Sequence, residues 1–227
     1  MRNKLALECH AGGGMSISTG AVSRRVLRKA PAERAAEILD RACELATEQG
    51  LSALTLRSVA ARAGVTSTLV AHYSDGIDGL VAETFTRIAG RELSEVRAAA
   101  SGQRTAAQRL GALCSTLLDG DRSKTTLVWV EALAIGYRNA RLAASVRASL
   151  DAWQQLFSSV IADGSRSGDF TAVNPETAAW QILGMIDGIN EQALVLQEAP
   201  ASRSNLVFEA AEGILGLRPG TLSGPTD

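Results

Sequence analysis

The side chains in this chain that could do chemistry are short hydroxyls, a run of cations and a set of large aromatics around one carboxylate. Thr66, Ser67 and Thr68 are consecutive, follow Gly64-Val65 and precede Leu69. Hydroxyls grouped at one helix start can donate and accept hydrogen bonds toward a polar surface, while Leu69 offers an apolar contact. His72 and Tyr73 follow one turn later. Arg24, Arg25, Arg28 and Lys29 place four cations close together, which suits a polyanion. Trp129, Tyr137, Trp153, Phe157 and Trp180 hold most of the large aromatics of the second half, and Glu131 interrupts the apolar stretch 127–135. An aromatic pocket with one buried carboxylate would hold a cation through ring quadrupole and charge. The same residues also suit plain core packing, with Glu131 salt-bridged or solvated.

Enzyme signatures are missing from the sequence. There is no phosphate-binding glycine loop, no two-histidine metal motif and no serine elbow. His10 and His72 are remote from each other. Cys9, Cys43 and Cys114 are odd in number and lack metal-ligand spacing, so they read as buried or incidental thiols in a reducing cytoplasm. No catalytic residue, metal or cofactor is therefore expected. No apolar run approaches the roughly 20 residues of a membrane span. Gly12 to Gly14 stand where a secretory signal needs its apolar region. The expected location is the cytoplasm. Residues 1–20 read as a tail, with Met15 as an alternative start. Net charge is −1, but its distribution is uneven. The first 31 residues carry six Lys and Arg against Glu8, whereas acidic side chains outnumber basic ones over 101–227. That polarity suits nucleic acid at one end, or a merely solvated basic tail.

The elements that must position these groups are helices. Pro31 can start one that Gly50 stops, with Ile38, Leu39, Ala42, Leu45 and Ala46 as its apolar stripe. Thr55 can cap a short helix lined by Leu56, Val59, Ala60 and Ala63. Gly64 ends it, and Thr66 can cap a third helix through Tyr73. A long helix over about 78–100 follows. Ser101-Gly102 is the expected domain boundary. Further helices are expected near 105–119, 124–138, 140–165, 175–198 and 203–216, with Asn174-Pro175-Glu176 a strong helix start. Residues 218–227 read as a frayed tail.

Two short helices joined by a glycine turn, behind a longer support helix, make a helix-turn-helix pattern. The pattern alone also fits a helical hairpin without nucleic acid. Residues 34–85 resemble the DNA-binding domain of the tetracycline-repressor (TetR) family. The likeness rests on Ala35-Ala36-Glu37-Ile38-Leu39-Asp40 with Ala42, Gly50, Thr55-Leu56-Arg57-Ser58-Val59-Ala60, Ala63-Gly64-Val65-Thr66, His72-Tyr73 and Gly79-Leu80. Residues 69–73 also look like the branch containing the choline-responsive repressor. The resemblance implies base contact at Thr66, Ser67, Thr68 and Leu69, and phosphate contact at Thr55, His72 and Tyr73. It places Arg24, Arg25, Arg28 and Lys29 where the family's arm begins. The chain departs from the pattern at Ser74, where the family usually has an aromatic, and at Ile77, where it usually has lysine. With no Arg, Lys, Asn or Gln on the third helix, readout falls to hydroxyls and to apolar contact with thymine methyls.

Helix 175–198 is apolar on more than one side, and a helix so covered is buried on two fronts. Ile182, Gly184, Met185, Gly188 and Ile189 on it, with Leu206, Ala210 and Ile214 on the last helix, are the expected dimer face. The resemblance implies a four-helix interface there. A thick monomeric core is the other reading. The combined expectation is an all-α protein. It has a basic arm over 1–31, a three-helix helix-turn-helix domain over 32–92, and a helical effector-binding and dimerisation domain over 101–217, then a tail over 218–227. Its expected partners are double-stranded operator DNA, a second copy of itself and a small-molecule effector, with no membrane. The implied function is a ligand-responsive regulator, most often a repressor. The alternative is a helical dimer with degenerate DNA binding that serves interaction or ligand sequestration.

Overall fold

The structure is a computed structural model, and it describes residues 30–118, 122–171, 173–197 and 200–223. Among the described residues the secondary structure is helical throughout, with nine α-helices. They are α1 (Pro31–Gln49), α2 (Leu56–Ala63), α3 (Ser67–Ser74), α4 (Gly76–Ser101), α5 (Ala106–Leu117), α6 (Ser123–Gly136), α7 (Ala140–Ser167), α8 (Pro175–Leu196) and α9 (Ser204–Leu215). A 3-10 turn, Leu51–Ala53, joins α1 to α2. Each α-helix lies within a few residues of its expected span, because the caps that set the ends are local. Thr55, Thr66, Thr105, Asn139 and Asn174 each accept a backbone N–H of the first turn of the helix they precede. Such caps contribute about 1 kcal/mol each.

The helices α1, α2 and α3 with the first half of α4 form a head around Ile38, Leu45, Val59, Val70, Leu80 and Phe85, all buried. That core does not close on itself. Val128 and Ala132 of α6 and Leu142 and Val146 of α7 complete it. The second core lies among α5, α7, α8 and α9, and α4 reaches it through Val96 and Ala100. α4 thus contributes to both cores and ends at Ser101. The head is partly built from the second half of the sequence.

The expected frayed tail is packed as far as Leu222. Glu212 is buried, and its carboxylate accepts the N–H of Gly220 at 3.0 Å and of Leu222 at 2.8 Å. Leu222 closes the second core. A buried carboxylate with two amide donors is a hydrogen-bonded anchor, which fixes the chain beyond α9.

Candidate DNA-binding face and ligand cavity

The head is organised by reciprocal capping. Thr55 Oγ1 accepts the Ser58 N–H at 2.9 Å, and Ser58 Oγ accepts the Thr55 N–H at 2.9 Å. Ser58 Oγ also reaches the Ala53 carbonyl at 2.9 Å, which ties the 3-10 turn to α2. At the corner Gly64 adopts φ 65°, ψ 34°, a left-handed conformation that a side chain disfavours, and the Val65 N–H returns to the Ala60 carbonyl at 3.0 Å. Thr66 then caps α3, its Oγ1 accepting the Leu69 N–H at 3.2 Å. The Thr66 oxygen is thereby engaged, while its hydroxyl proton stays available.

On α3 the inward side is Val70 and Ser74, both buried, and the outward side is Ser67, Thr68 and His72, all exposed. Thr55 and Thr66 are exposed beside them, and Leu69 and Tyr73 are half-buried. The His72 and Tyr73 rings meet edge-on with centroids 5.3 Å apart. All seven of these expected contact residues lie on α3 or at the caps of α2 and α3, and five of them are exposed. Arg24, Arg25, Arg28 and Lys29 lie outside the described residues. Ser74 points inward and donates from Oγ to the Val70 carbonyl at 2.5 Å. Beside it runs a surface groove lined by Ala36, Leu39, Tyr73 and Leu80. Ile77 is exposed. Arg57, on the first turn of α2, is exposed and has no ion-pair partner among the described residues, in contrast to Arg62, which pairs with Glu48 at 2.5 Å. Sequence reasoning passed over Arg57, although its position two residues after the capping Thr55 marks it as outward.

The second feature is a cavity where α4, α5, α6, α7 and α8 meet. Trp129, Leu133, Trp153, Trp180, Leu183 and Ile186 supply its apolar wall, and Glu92, Asp187, Asn190 and Glu191 its polar groups. The space is about 670 Å³ when counted out to open solvent. Glu92 is buried. Its Oε2 accepts the Trp129 indole N–H at 2.8 Å, and its Oε1 lies 3.3 Å from Arg122 Nη1. Burial pushes the Glu92 carboxyl above its ordinary range, and the indole hydrogen bond and the Arg122 charge hold it back. Asp187 keeps contact with solvent at the mouth, yet the crowded wall, then Glu191 and Glu92, push it up to about 6. Asn190 donates from Nδ2 to the Leu117 carbonyl at 3.0 Å, while its buried Oδ1 has no partner among the described residues. Among the described residues no Lys, Arg or His lines the cavity, and Arg122 lies behind Glu92. Its polar lining therefore favours hydrogen-bond donors and positive charge.

Of the six residues expected in a pocket, Trp129, Trp153 and Trp180 line this cavity. Glu131 does not. It leaves the opposite face of α6 and binds Ser52, its Oε2 accepting the backbone N–H at 2.9 Å and its Oε1 the hydroxyl at 2.6 Å. Tyr137 projects into solvent, 89% exposed, just past the end of α6. Phe157 is fully buried core on α7. The carboxylates of the cavity are instead Glu92, Asp187 and Glu191. Of the expected dimer face, Ile182 is fully buried in its own subunit and faces inward. Met185, Ile189 and Ile214 are half-buried at the rim of that core, and Ala210 is half-buried on α9. Leu206 is 60% exposed, and a side chain added at Gly184 or Gly188 would meet open space. Val195 and Leu196 extend the same exposed apolar end of α8.

A three-helix head with a capped recognition helix, continuous with a helical body that holds a cavity, defines a helix-turn-helix regulator with a second domain. The family comparisons agree. Residues 38–84 match the bacterial regulatory proteins of the tetR family, and residues 106–215 match the BetI-type transcriptional repressor C-terminal domain. Together these take in more than half of the chain, which belongs to the TetR family of DNA-binding transcriptional regulators. No curated protein matches it. Among solved structures it is similar to a transcriptional regulator from Pseudomonas aeruginosa PAO1 at TM-score 0.71 and 21% identity, covering 85% of this chain and 95% of that one. A transcriptional regulator from Saccharomonospora viridis in complex with choline gives TM-score 0.71 at 18% identity, over 80% and 96% of the two chains. The regulator FadR from Bacillus subtilis in complex with stearoyl-CoA gives 0.66 at 18% identity, over 81% and 99%. At these identities the likeness concerns the fold. Among the described residues no helix is long and apolar enough to cross a membrane.

Proposed function

We propose that the chain is a homodimeric repressor released from its operator when a small organic cation enters the cavity between α4, α5, α6, α7 and α8. The observation that carries the cation reading is the lining itself: among the described residues it holds three tryptophans, three carboxylates and an unpartnered amide oxygen, and no cationic side chain. Tryptophan faces and carboxylates attract positive charge, and the attraction grows as water is excluded. An anionic ligand would meet like charge there. The complex of the Saccharomonospora viridis regulator with choline supports the same class of ligand on the same fold. On the head, Ser67, Thr68 and Leu69 would enter the major groove, Thr55, His72 and Tyr73 would hold phosphates, and Arg24, Arg25, Arg28 and Lys29 would add phosphate contacts. The exposed apolar ends of α8 and α9 would meet a second copy, so that two recognition helices lie about 34–36 Å apart, one DNA turn.

Linkage supplies the test. If the cation lowers operator affinity, operator must lower cation affinity by the same factor, commonly about 5–150-fold in such systems. The measurement is tryptophan fluorescence with tetramethylammonium, with octanoate as the anionic control, in the presence and absence of DNA flanking the protein's own gene. The reading predicts that tetramethylammonium changes the fluorescence and binds more weakly with DNA present. Octanoate binding alone, or equal cation affinity in both titrations, contradicts it.

A further inference from the structure

A groove runs along α6 and α7 beside the cavity. Gly136, Ala143 and Val146 lie in its floor, and Tyr137, Arg138 and Arg147 stand at its rim. Its space is about 1070 Å³ when counted out to open solvent. Tyr137 projects almost wholly into solvent, and both arginines are exposed. Neither arginine forms an ion pair among the described residues, whereas Arg141 between them pairs with Asp75. Among the described residues no Asp or Glu lines this groove, the reverse of the cavity. Leu133 and Leu150 line both spaces. On α7, Trp153, Leu150 and Arg147 follow at three-residue steps, with the tryptophan in the cavity, the leucine on both sides and the arginine in the groove. On α6, Trp129 and Leu133 repeat the order, and Tyr137 follows just past the helix end. Two tracks on neighbouring helices therefore lead from the cavity over a saddle of leucines to the arginines. At about 1.5 Å of rise per residue, the stretch of α7 from Trp153 to Arg147 spans about 9 Å.

We infer that this groove is the second half of the effector site and that the effector is an elongated zwitterion. Its ammonium group lies in the cavity, its apolar spacer crosses Leu133 and Leu150, and its carboxylate meets Arg138 and Arg147. The inference rests on the cation reading above and names the effector class more closely. Charge separation carries it. Glu92, Asp187 and Glu191 stand at one end and two free arginines at the other, with an apolar saddle between them. A simple cation leaves both arginines without a partner. A simple anion that reaches into the cavity meets like charge. One molecule with both charges at this separation answers both ends, and only in one orientation. Guanidinium suits the outer end because its planar fork pairs a carboxylate through two parallel hydrogen bonds. Leu133, 46% exposed, is apolar surface that a spacer would cover. A short zwitterion gains nothing here, since its carboxylate stays in the cavity beside Asp187 and Glu191.

Calorimetric titration of the full chain with ligands that share a trimethylammonium group tests this. Octyltrimethylammonium carries the spacer alone. Trimethylammonio-octanoate, with its two charges at opposite ends of the chain, adds the carboxylate. Trimethylammonio-acetate holds the carboxylate next to the cation. The octanoate zwitterion is expected to bind about fivefold or more tighter than octyltrimethylammonium, a gain limited by the exposure of both arginines. That gain shrinks at high salt, because the pairing is at the surface. Trimethylammonio-acetate is expected to bind more weakly than tetramethylammonium. In the double variant Arg138→Gln, Arg147→Gln, the zwitterion and octyltrimethylammonium are expected to bind within about twofold of each other. Both substitutions are at exposed positions, and circular dichroism checks that the helices are retained. Equal affinity of those two ligands for the wild type, or a full gain kept by the double variant, would overturn the inference. Octyltrimethylammonium binding in that case leaves the cation reading standing. Failure of every trimethylammonium ligand to bind would instead remove the cation reading, and this inference with it.

Discussion

The head and the cavity are built in opposite ways. At the head the hydroxyls of Thr55, Thr66, Ser67 and Thr68 belong to short, exposed residues, each set by a cap or a turn within a few residues of itself. In the cavity the groups are large or ionisable and come from five helices, Glu92 and Trp129 meeting across a gap of 37 positions. The head is thus defined by local sequence on a rigid frame. The cavity exists only once the whole body has packed. Substitutions in the head are predicted to alter DNA readout with little effect on the fold, and those around the cavity to affect ligand and stability together.

The sharpest contrast is between Phe157 and Tyr137, two aromatics that look alike in sequence and differ in burial. Phe157→Ala opens a void in the second core and is expected to cost about 3–5 kcal/mol in denaturant unfolding. Tyr137→Ala is expected to stay within about 0.5 kcal/mol. Equal losses would erase the distinction between core and surface drawn here. Next in size is assembly. Gly188→Leu fills open space in the single subunit, so the fold survives while sedimentation shifts from dimer toward monomer. A dimer that persists unchanged would place the interface elsewhere. On the head, Thr68→Ala is expected to relax preference at one or two base pairs, by about 1 kcal/mol for a hydroxyl contact. A uniform loss on every DNA would show that Thr68 only positions the protein.

The smallest effect is the pH response of Asp187. Its carboxyl is raised from 3.8 to about 6 on folding. Between those values the folded chain keeps a proton that the unfolded chain has lost, so stability falls as pH rises through that window and levels above it. Solvent contact at the mouth makes the slope shallow. Tetramethylammonium affinity is expected to rise as pH passes through about 6, where the folded chain's carboxylate forms. Asp187→Asn flattens both curves, and an unchanged pH profile in that variant would move the response away from Asp187, to Glu92.

Much of this was legible in the sequence because it is local. Pro31, Gly50, Thr55, Gly64, Thr66 and Asn174 mark helix ends by their own conformational preferences, and the helices follow. The errors arose where facing decides. Residues 129 and 131 are two apart on a helix and so leave opposite sides of it, which separates Trp129 from Glu131 by periodicity alone. Glu92 was findable in the same way, since it follows Ile88 and precedes Val96 at four-residue spacing on the buried side of α4. Tyr137 lies at the α6–α7 corner, where no helical face constrains it. The order of residues 218–222 depends on Glu212 turning inward, a tertiary event without a local mark. The role of the second half of the chain in the head core had none either.

The central claim is that this protein reads DNA through the outward face of α3. A gel shift of the full chain on DNA flanking its own gene, against unrelated DNA of equal length and at rising salt, tests it most directly. The account predicts a specific complex about 10³-fold or more tighter than on unrelated DNA. Its affinity is expected to fall steeply between 50 and 200 mM salt, by about 0.9 in log–log slope for each phosphate contacted. Equal affinity for both DNAs at every salt concentration would contradict it.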